Sequence, residues 1–308
     1  MICNYNKIFK SFFSKSFPKT AYFIQIYMQE EMMMKDENEL TPEKKWEQAT
    51  IANNFIFYKV MRNNPDVCKE LLEILLEIKI DHIDMRQEEE VAIDYGKKAI
   101  RLDVYAVGNE EAYNLEMQAT DTNELPERSR FYQSTLDLDD LNSGADYKDI
   151  KTSYIIFICV PDIFEKGLGK YKFENICIDN NNQIIKLNDR AYKLFFIAKN
   201  YDKIFNEKQK AFLELVTNNK SINSFTNRIK ELVEKAKQNT QWRKQFMDFE
   251  HYMSLSFRQG KEEGEQIGAQ KKAIENARKL LADGKYTAEE ISELFQIPVE
   301  AFTDKVKG

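Results

Sequence analysis

Between Val67 and Leu76 apolar side chains return every three to four residues, at Val67, Leu71, Leu72, Leu75 and Leu76. That spacing lays one buried stripe along a helix. Asn64-Pro65-Asp66 stands just ahead of it, a capping residue followed by proline at the first helical position. Thr41-Pro42-Glu43 carries the same signal upstream and predicts a helix through Phe55, Phe57, Val60 and Met61. The rhythm then shortens. Ile78 to Ile83 alternates, as a short strand does, and Gln87 to Glu90 reads as a solvated acidic loop. From 100 to 119 the period becomes two, which predicts a β-hairpin. Ile100, Leu102, Val104 and Ala106 share one face of its first strand, with Arg101, Asp103 and Tyr105 opposite. Tyr113, Leu115, Met117 and Ala119 share one face of the second, with Asn114, Glu116 and Gln118 opposite, and Gly108-Asn109 supplies the turn.

The register follows from the faces. With Asn109 and Glu110 at the centre of the turn, Leu102 faces Met117 and Val104 faces Leu115, so apolar meets apolar. A slip of one residue would set Leu102 against Glu116 and spoil both faces. The favoured pairing puts Asp103 opposite Glu116, with Cβ atoms roughly 5 Å apart. Two opposed carboxylates repel, and a divalent cation between them would remove the repulsion. A merely solvated polar face is the other reading, and alternation alone leaves both open.

Further on, Leu125 to Leu141 reads as a helix opening at Leu125-Pro126. Ser153 to Val160 is a continuous apolar run, typical of a strand buried on both faces. Shorter strands are expected at Tyr171–Ile178, Gln183–Leu187 and Tyr192–Ala198, and helix from Glu207 onward. Beyond Thr240 one long helix is expected. Its Gly260, Gly264 and Gly268 recur every four residues in a polar context, which excludes a membrane dimer motif and leaves two readings, a solvated helix or close packing against another helix. Thr287 to Glu290 forms a capping box ahead of Ile291 and Leu294. With Ala273–Leu281, ended by Asp283-Gly284, it predicts a small three-helix unit like a helix-turn-helix. The fold class expected is α/β, a mixed sheet flanked by helices with an all-α C-terminal extension. Three regions are expected: an N-terminal arm at 1–40, an α/β domain at 41–200, and a helical region at 201–308.

Composition narrows the chemistry. The 308 residues include 10 glycines and 6 prolines, which favours long helices, and 21 Phe with 15 Tyr argue against disorder of the whole chain. A net charge of −6 neither requires nor excludes a nucleic-acid partner, because a local basic face can hide within the sum. Four scattered cysteines without a Cys-x-x-Cys pair, and only two histidines, give no support to structural zinc or a disulfide framework. They fit a reducing cytoplasm, and leave carboxylates to carry any chemistry. No run reaches transmembrane length. The first 27 residues hold four lysines and no acid. The lysines break up the apolar stretch that a signal peptide needs, and a start assigned upstream of Met28 and Met32–Met34 is the simple account.

The order of helix, Asp-bearing strand, Glu-x-Gln strand, helix and buried strand resembles the PD-(D/E)XK nuclease superfamily. More closely, it resembles the recombination-promoting nuclease and transposase family within it. The segments that carry the resemblance are NNFIFYKVM (53–61), RLDVYAV (101–107) with YNLEMQ (113–118), LPERSRFYQ (125–133) and GADYKDIKTSYIIFIC (144–159). It implies a restriction-endonuclease-like fold and a metal-dependent DNA endonuclease linked to recombination or mobile elements. By that resemblance Asp103 and Glu116 hold Mg²⁺ or Mn²⁺, and the Met117 backbone carbonyl adds a ligand. Leu102 stands at the superfamily's proline. Gln118 stands at its lysine, an exchange common in the closer family. Lys98, Lys97 or Arg128 would then supply the missing positive charge, and Tyr132, one helical turn from Arg128, would line the same cleft. DNA is the expected partner, no membrane is expected, and cutting both strands with one site per chain favours a homodimer. The reading from another class is a catalytically silent DNA-binding or protein-interaction module that keeps the fold.

Overall fold

The computed structural model describes residues 40–86, 104–141 and 144–303. The chain divides into two units, Met1–Lys45 and Trp46–Gly308. The N-terminal arm to residue 39, the acidic stretch at 87–90 and the hairpin positions 100–103 all lie outside the described residues.

Helices α1 (Pro42–Gln48), α2 (Asn54–Asn63) and α3 (Pro65–Leu76) come first. The single helix expected from Thr41 to Met61 is thus two. Thr50 Oγ1 accepts from the Ala52 N–H, and Asn53 Oδ1 accepts from the Ile56 N–H at 3.1 Å. These side chains capture backbone donors locally and restart the helix. Pro65 opens α3 as expected, with Val67, Leu71, Leu72 and Leu75 buried. Asn64 makes no side-chain cap; its amide donates to the Val60 carbonyl at the end of α2.

The strand expected at Ile78–Ile83 forms one step later, as β1 (Asp84–Met85). Ile80 and Ile83 are instead buried as loop residues, and the Ile80 N–H is bound by the Glu73 carboxylate, so it is not available to a ladder. β2 (Val104–Val107) and β3 (Glu111–Gln118) form the hairpin. Its register is the one the two faces required: Val104 pairs with Leu115, and Ala106 with Tyr113. The Gly108 N–H donates to the Glu111 carbonyl across Asn109 and Glu110.

Helix α4 (Leu125–Asp140) crosses over to β4 (Thr152–Cys159), which runs parallel to β3, as a crossover connection allows. β5 (Lys170–Phe173) follows, then the separate hairpin of β6 (Ile176–Ile178) and β7 (Ile184–Lys186), then β8 (Ala191–Ile197). The main sheet has the order β1-β2-β3-β4-β8-β5. The helix at 125–140 and the buried strand at 152–159 agree with the sequence pattern, but the piece expected at Tyr171–Ile178 is two strands, Lys170–Phe173 in the main sheet and Ile176–Ile178 in the separate hairpin.

One face of the sheet (Val104, Ala106, Leu115, Met117, Ile156, Ile158, Phe196) packs on α2, α3, α5 (Glu207–Asn218) and α6 (Ser224–Gln238). A ladder of rings, Tyr113–Tyr154–Tyr192, runs across this face at 5.6 and 5.3 Å. The other face (Ile155, Phe157, Cys159, Phe195, Ile197) packs on Leu125, Tyr132 and Leu136 of α4. Helix α7 spans Thr240–Asp283, and Gly284 ends it at φ 70°, a conformation suited to glycine. α8 (Ala288–Phe295), opened by the Thr287–Glu290 capping box, and α9 (Val299–Thr303) pack on its end through Ala277, Ile291, Ile297 and Phe302. Leu294 points to solvent. Among the described residues no helix is long and apolar enough to cross a membrane.

Candidate functional site

Period two gives β3 a polar side at Asn114, Glu116 and Gln118. That side is not solvated. Asn114 is 0%, Glu116 1% and Gln118 5% exposed, because α4 lies across it. Parallel pairing sets Asn114 beside Ile155, Glu116 beside Phe157 and Gln118 beside Cys159, so the polar row borders an apolar one.

A carboxylate in such surroundings needs a positive partner. Arg128, in the first turn of α4, provides it. One terminal nitrogen lies 3.4 Å from Glu116 Oε2 and donates to the Tyr132 hydroxyl at 2.9 Å, while the other donates to Gln118 Oε1 at 3.2 Å. The guanidinium also sits over the rings of Tyr132 and Phe157, at 5.4 and 5.8 Å from their centroids. Since guanidinium can only donate, the Gln118 oxygen faces Arg128 and its NH₂ group points elsewhere as a donor. Helical spacing brings Tyr132 under Arg128, and Tyr132 stacks on Phe157 at 6.1 Å.

Around this centre burial raises several pKa values. The Cys159 thiol is pushed up to about 12 by burial, with Asp121 adding to the effect and Arg128 opposing it, so it is no nucleophile. Burial also raises Asp137, against a hydrogen bond from Gln133. Burial and a 2.9 Å bond to Asp139 raise the Tyr105 phenol. Just past β4, Asp162 accepts from the Gly167 and Phe164 N–H groups, the Asn200 amide and the Tyr171 hydroxyl. Burial opposes its ionisation, but those four donors outweigh burial and hold its pKa low.

Of the expected site residues, the structure brings together Glu116, Gln118, Arg128 and Tyr132, with the Met117 carbonyl on the same strand. Asp103, Lys97 and Lys98 lie outside the described residues. Among the described residues no three His, Cys, Asp or Glu side chains cluster as a metal would require. The Glu116 carboxylate and the Met117 carbonyl are nonetheless hard oxygen donors, while the Gln118 oxygen is taken by Arg128. The two free donors fit a divalent cation of the magnesium kind and offer nothing to a thiophilic one.

Sequence reasoning missed the polar seam beside these residues. Asn114 is enclosed, and neither its Oδ1 nor its Nδ2 meets a hydrogen-bond partner among the described residues. Gln133 of α4 bonds Ser153 and Asp137 through its Nε2 and leaves its Oε1 without one. The signal was present, since Asn114 belongs to the same two-residue period as Glu116. Asp162 carried no signal, as a lone acid after an apolar run.

A family model described as PD-(D/E)XK nuclease family transposase matches residues 52–285. A search of curated proteins gives no match, and neither does one of solved structures.

Proposed function

The chain belongs to the PD-(D/E)XK nuclease family of transposases, and from that premise we propose that it is a divalent-metal-dependent DNA endonuclease acting on recombining or mobile DNA. Membership makes it a nuclease-like protein of mobile-element type, with DNA as the substrate the family implies and divalent metals as its typical cofactor. The observation that carries the finer reading is Glu116: a carboxylate 1% exposed, held beside an amide and a guanidinium on a strand fixed from both sides.

In this reading Asp103, expected opposite Glu116 from the alternation of the hairpin sequence, completes the carboxylate pair, and the Met117 carbonyl adds a third oxygen. The bound Mg²⁺ or Mn²⁺ would supply Lewis-acid polarisation of the scissile phosphate and a more acidic water. Gln118, its oxygen held by Arg128, turns its NH₂ toward the water or a phosphate oxygen and orients it for in-line attack. Arg128 supplies the positive charge that an amide lacks, and Tyr132 fixes the guanidinium. Lys98 is proposed as a further source of positive charge. Homodimerisation and a cytoplasmic location belong to the same proposal. Cys68 and Cys159 are free and buried and Cys177 is free and exposed, as in a reducing compartment.

The second reading, a silent DNA-binding or interaction module, has one observation in its favour. Arg128 already lies against Glu116, so the carboxylate is partly neutralised within the chain. Supercoiled plasmid with Mg²⁺ or Mn²⁺ separates the two. Nicking by the wild type should fall at least ~10³-fold in Asp103→Ala and in Glu116→Ala. Nicking that survives both substitutions sinks the site. No nicking by the wild type, with DNA still bound, selects the silent module. Gln118→Lys tests whether the amide limits the rate.

A further inference from the structure

Helix α7 has 44 residues and is anchored at its two ends, through Phe246 and Ala277. Between them it is open: every residue from Gln259 to Lys272 is exposed. At 44 residues it extends about 66 Å, far beyond what those two anchors cover. Yet its middle is not uniformly polar. Phe249, Met253, Phe257, Gly260, Gly264 and Ile267 fall within an arc of about 80° at 3.6 residues per turn, and Gly268 borders it. Phe257 is 74%, Ile267 53%, Met253 49% and Phe249 40% exposed. The opposite side carries Arg258, Glu262, Glu265 and Gln266.

The glycines sharpen the oddity. Each costs an exposed helix about 1 kcal/mol against alanine, and a Cβ built on Gly260, Gly264 or Gly268 would meet no atom within 4 Å. Among the described residues nothing requires them to be small. A second helix lying close along this face would.

We propose that the middle of α7 is a dimerisation seam, which pairs antiparallel with α7 of a second copy of this chain. The distribution of size along the stripe sets the orientation. Large side chains occupy its first half (Phe249, Met253, Phe257) and glycines most of its second. In a parallel pair each bulky residue would meet its own copy and the glycines would face an empty gap, so no single interhelical distance serves both halves. Turned antiparallel, Phe257 lies opposite Gly264 of the partner subunit and Met253 opposite Gly268 of the partner subunit. These two knobs then each have a glycine recess. The same register brings Glu250 to Lys271 and Lys272 of the partner subunit, and the two-fold axis repeats each pairing. This seam rests on α7 alone and does not depend on the nuclease reading.

The full-length chain tests it by light scattering on a sizing column at micromolar concentration. The wild type should have twice the 36.4 kDa chain mass. Phe257→Glu and Gly264→Leu should each weaken association at least ~100-fold, with unchanged helical circular dichroism because both positions are solvent-exposed in the single chain. Orientation is read by cross-linking, with Cys3 and Cys177 replaced by serine. A mixture of Met253→Cys and Gly268→Cys chains should form a disulfide heterodimer, while neither alone should cross-link. A wild-type monomer overturns the proposal and assigns the stripe to a different macromolecule. A dimer indifferent to both substitutions overturns it as well, and self-cross-linking of Met253→Cys overturns the antiparallel register. None of these readouts involves cleavage, so a failed seam leaves the metal-site reading standing and overturns at most the homodimer attached to it, and a failed metal site leaves the seam standing.

Discussion

Under α4 a carboxylate and two amides lie inside the protein beside a half-buried guanidinium, while along α7 two phenylalanines, a methionine and an isoleucine lie outside it. Each region inverts the ordinary distribution of polar and apolar groups, and the inversions differ in what they ask of the fold. Groups buried against their nature must be satisfied from within, so Arg128, Tyr132 and Gln118 bind one another. Apolar groups exposed against theirs ask nothing of their own chain, and the glycines between them cost it helical stability. The first is a strain that the domain bears alone; the second is relieved by a helix laid against it.

That contrast should show first in stability. Arg128→Met removes the guanidinium from beside the enclosed Glu116, and a loss of about 3–5 kcal/mol in urea unfolding is expected; a loss below about 1 kcal/mol would mean that the guanidinium is not what holds the carboxylate. Asp162→Ala should cost about 3 kcal/mol, since two backbone N–H groups lose their acceptor. Because its folded pKa is depressed, the contribution of Asp162 is present above the ordinary carboxylate pKa and is lost as pH falls through the lower, folded value. Gly264→Ala should reverse the sign, raising the stability of the dilute single chain by about 1 kcal/mol while weakening self-association. The smallest effect is expected at Asp137, whose folded pKa is raised by burial. Its stabilising contribution is complete at low pH and is lost as pH rises, so Asp137→Asn should raise the melting temperature at pH 7. That advantage should vanish in acid, and one independent of pH would refute burial as the cause.

Much of the α4 region was legible in advance. Matching apolar faces fixed the hairpin register, and the strand at 153–160 announced its double burial by lacking alternation. What alternation could not reveal was that the polar face is covered. The cover, α4, buries Ser129, Gln133 and Thr135 along with Leu125, Tyr132 and Leu136, so it shows no clean apolar stripe and its packing direction is hidden. Ile78–Ile83 misled for the opposite reason: Ile80 and Ile83 are buried, but the Glu73 carboxylate occupies the Ile80 N–H that a ladder would use. In α7 the glycine period was visible as a pattern, but only its exposure turns that pattern into a question about a partner.

Glu116 and Gln118 owe their placement to a strand hydrogen-bonded on both sides, antiparallel to β2 and parallel to β4. The consequence is genetic as much as chemical. Loops such as 161–169 can lengthen or shorten without touching the site, but losing a single codon between Glu111 and Glu116 would rotate the remaining strand by half a turn. Glu116 would then enter the leucine-lined side and Leu115 or Met117 would meet Arg128. Lineages carrying this chain should therefore accumulate substitutions in β3 while its length never changes.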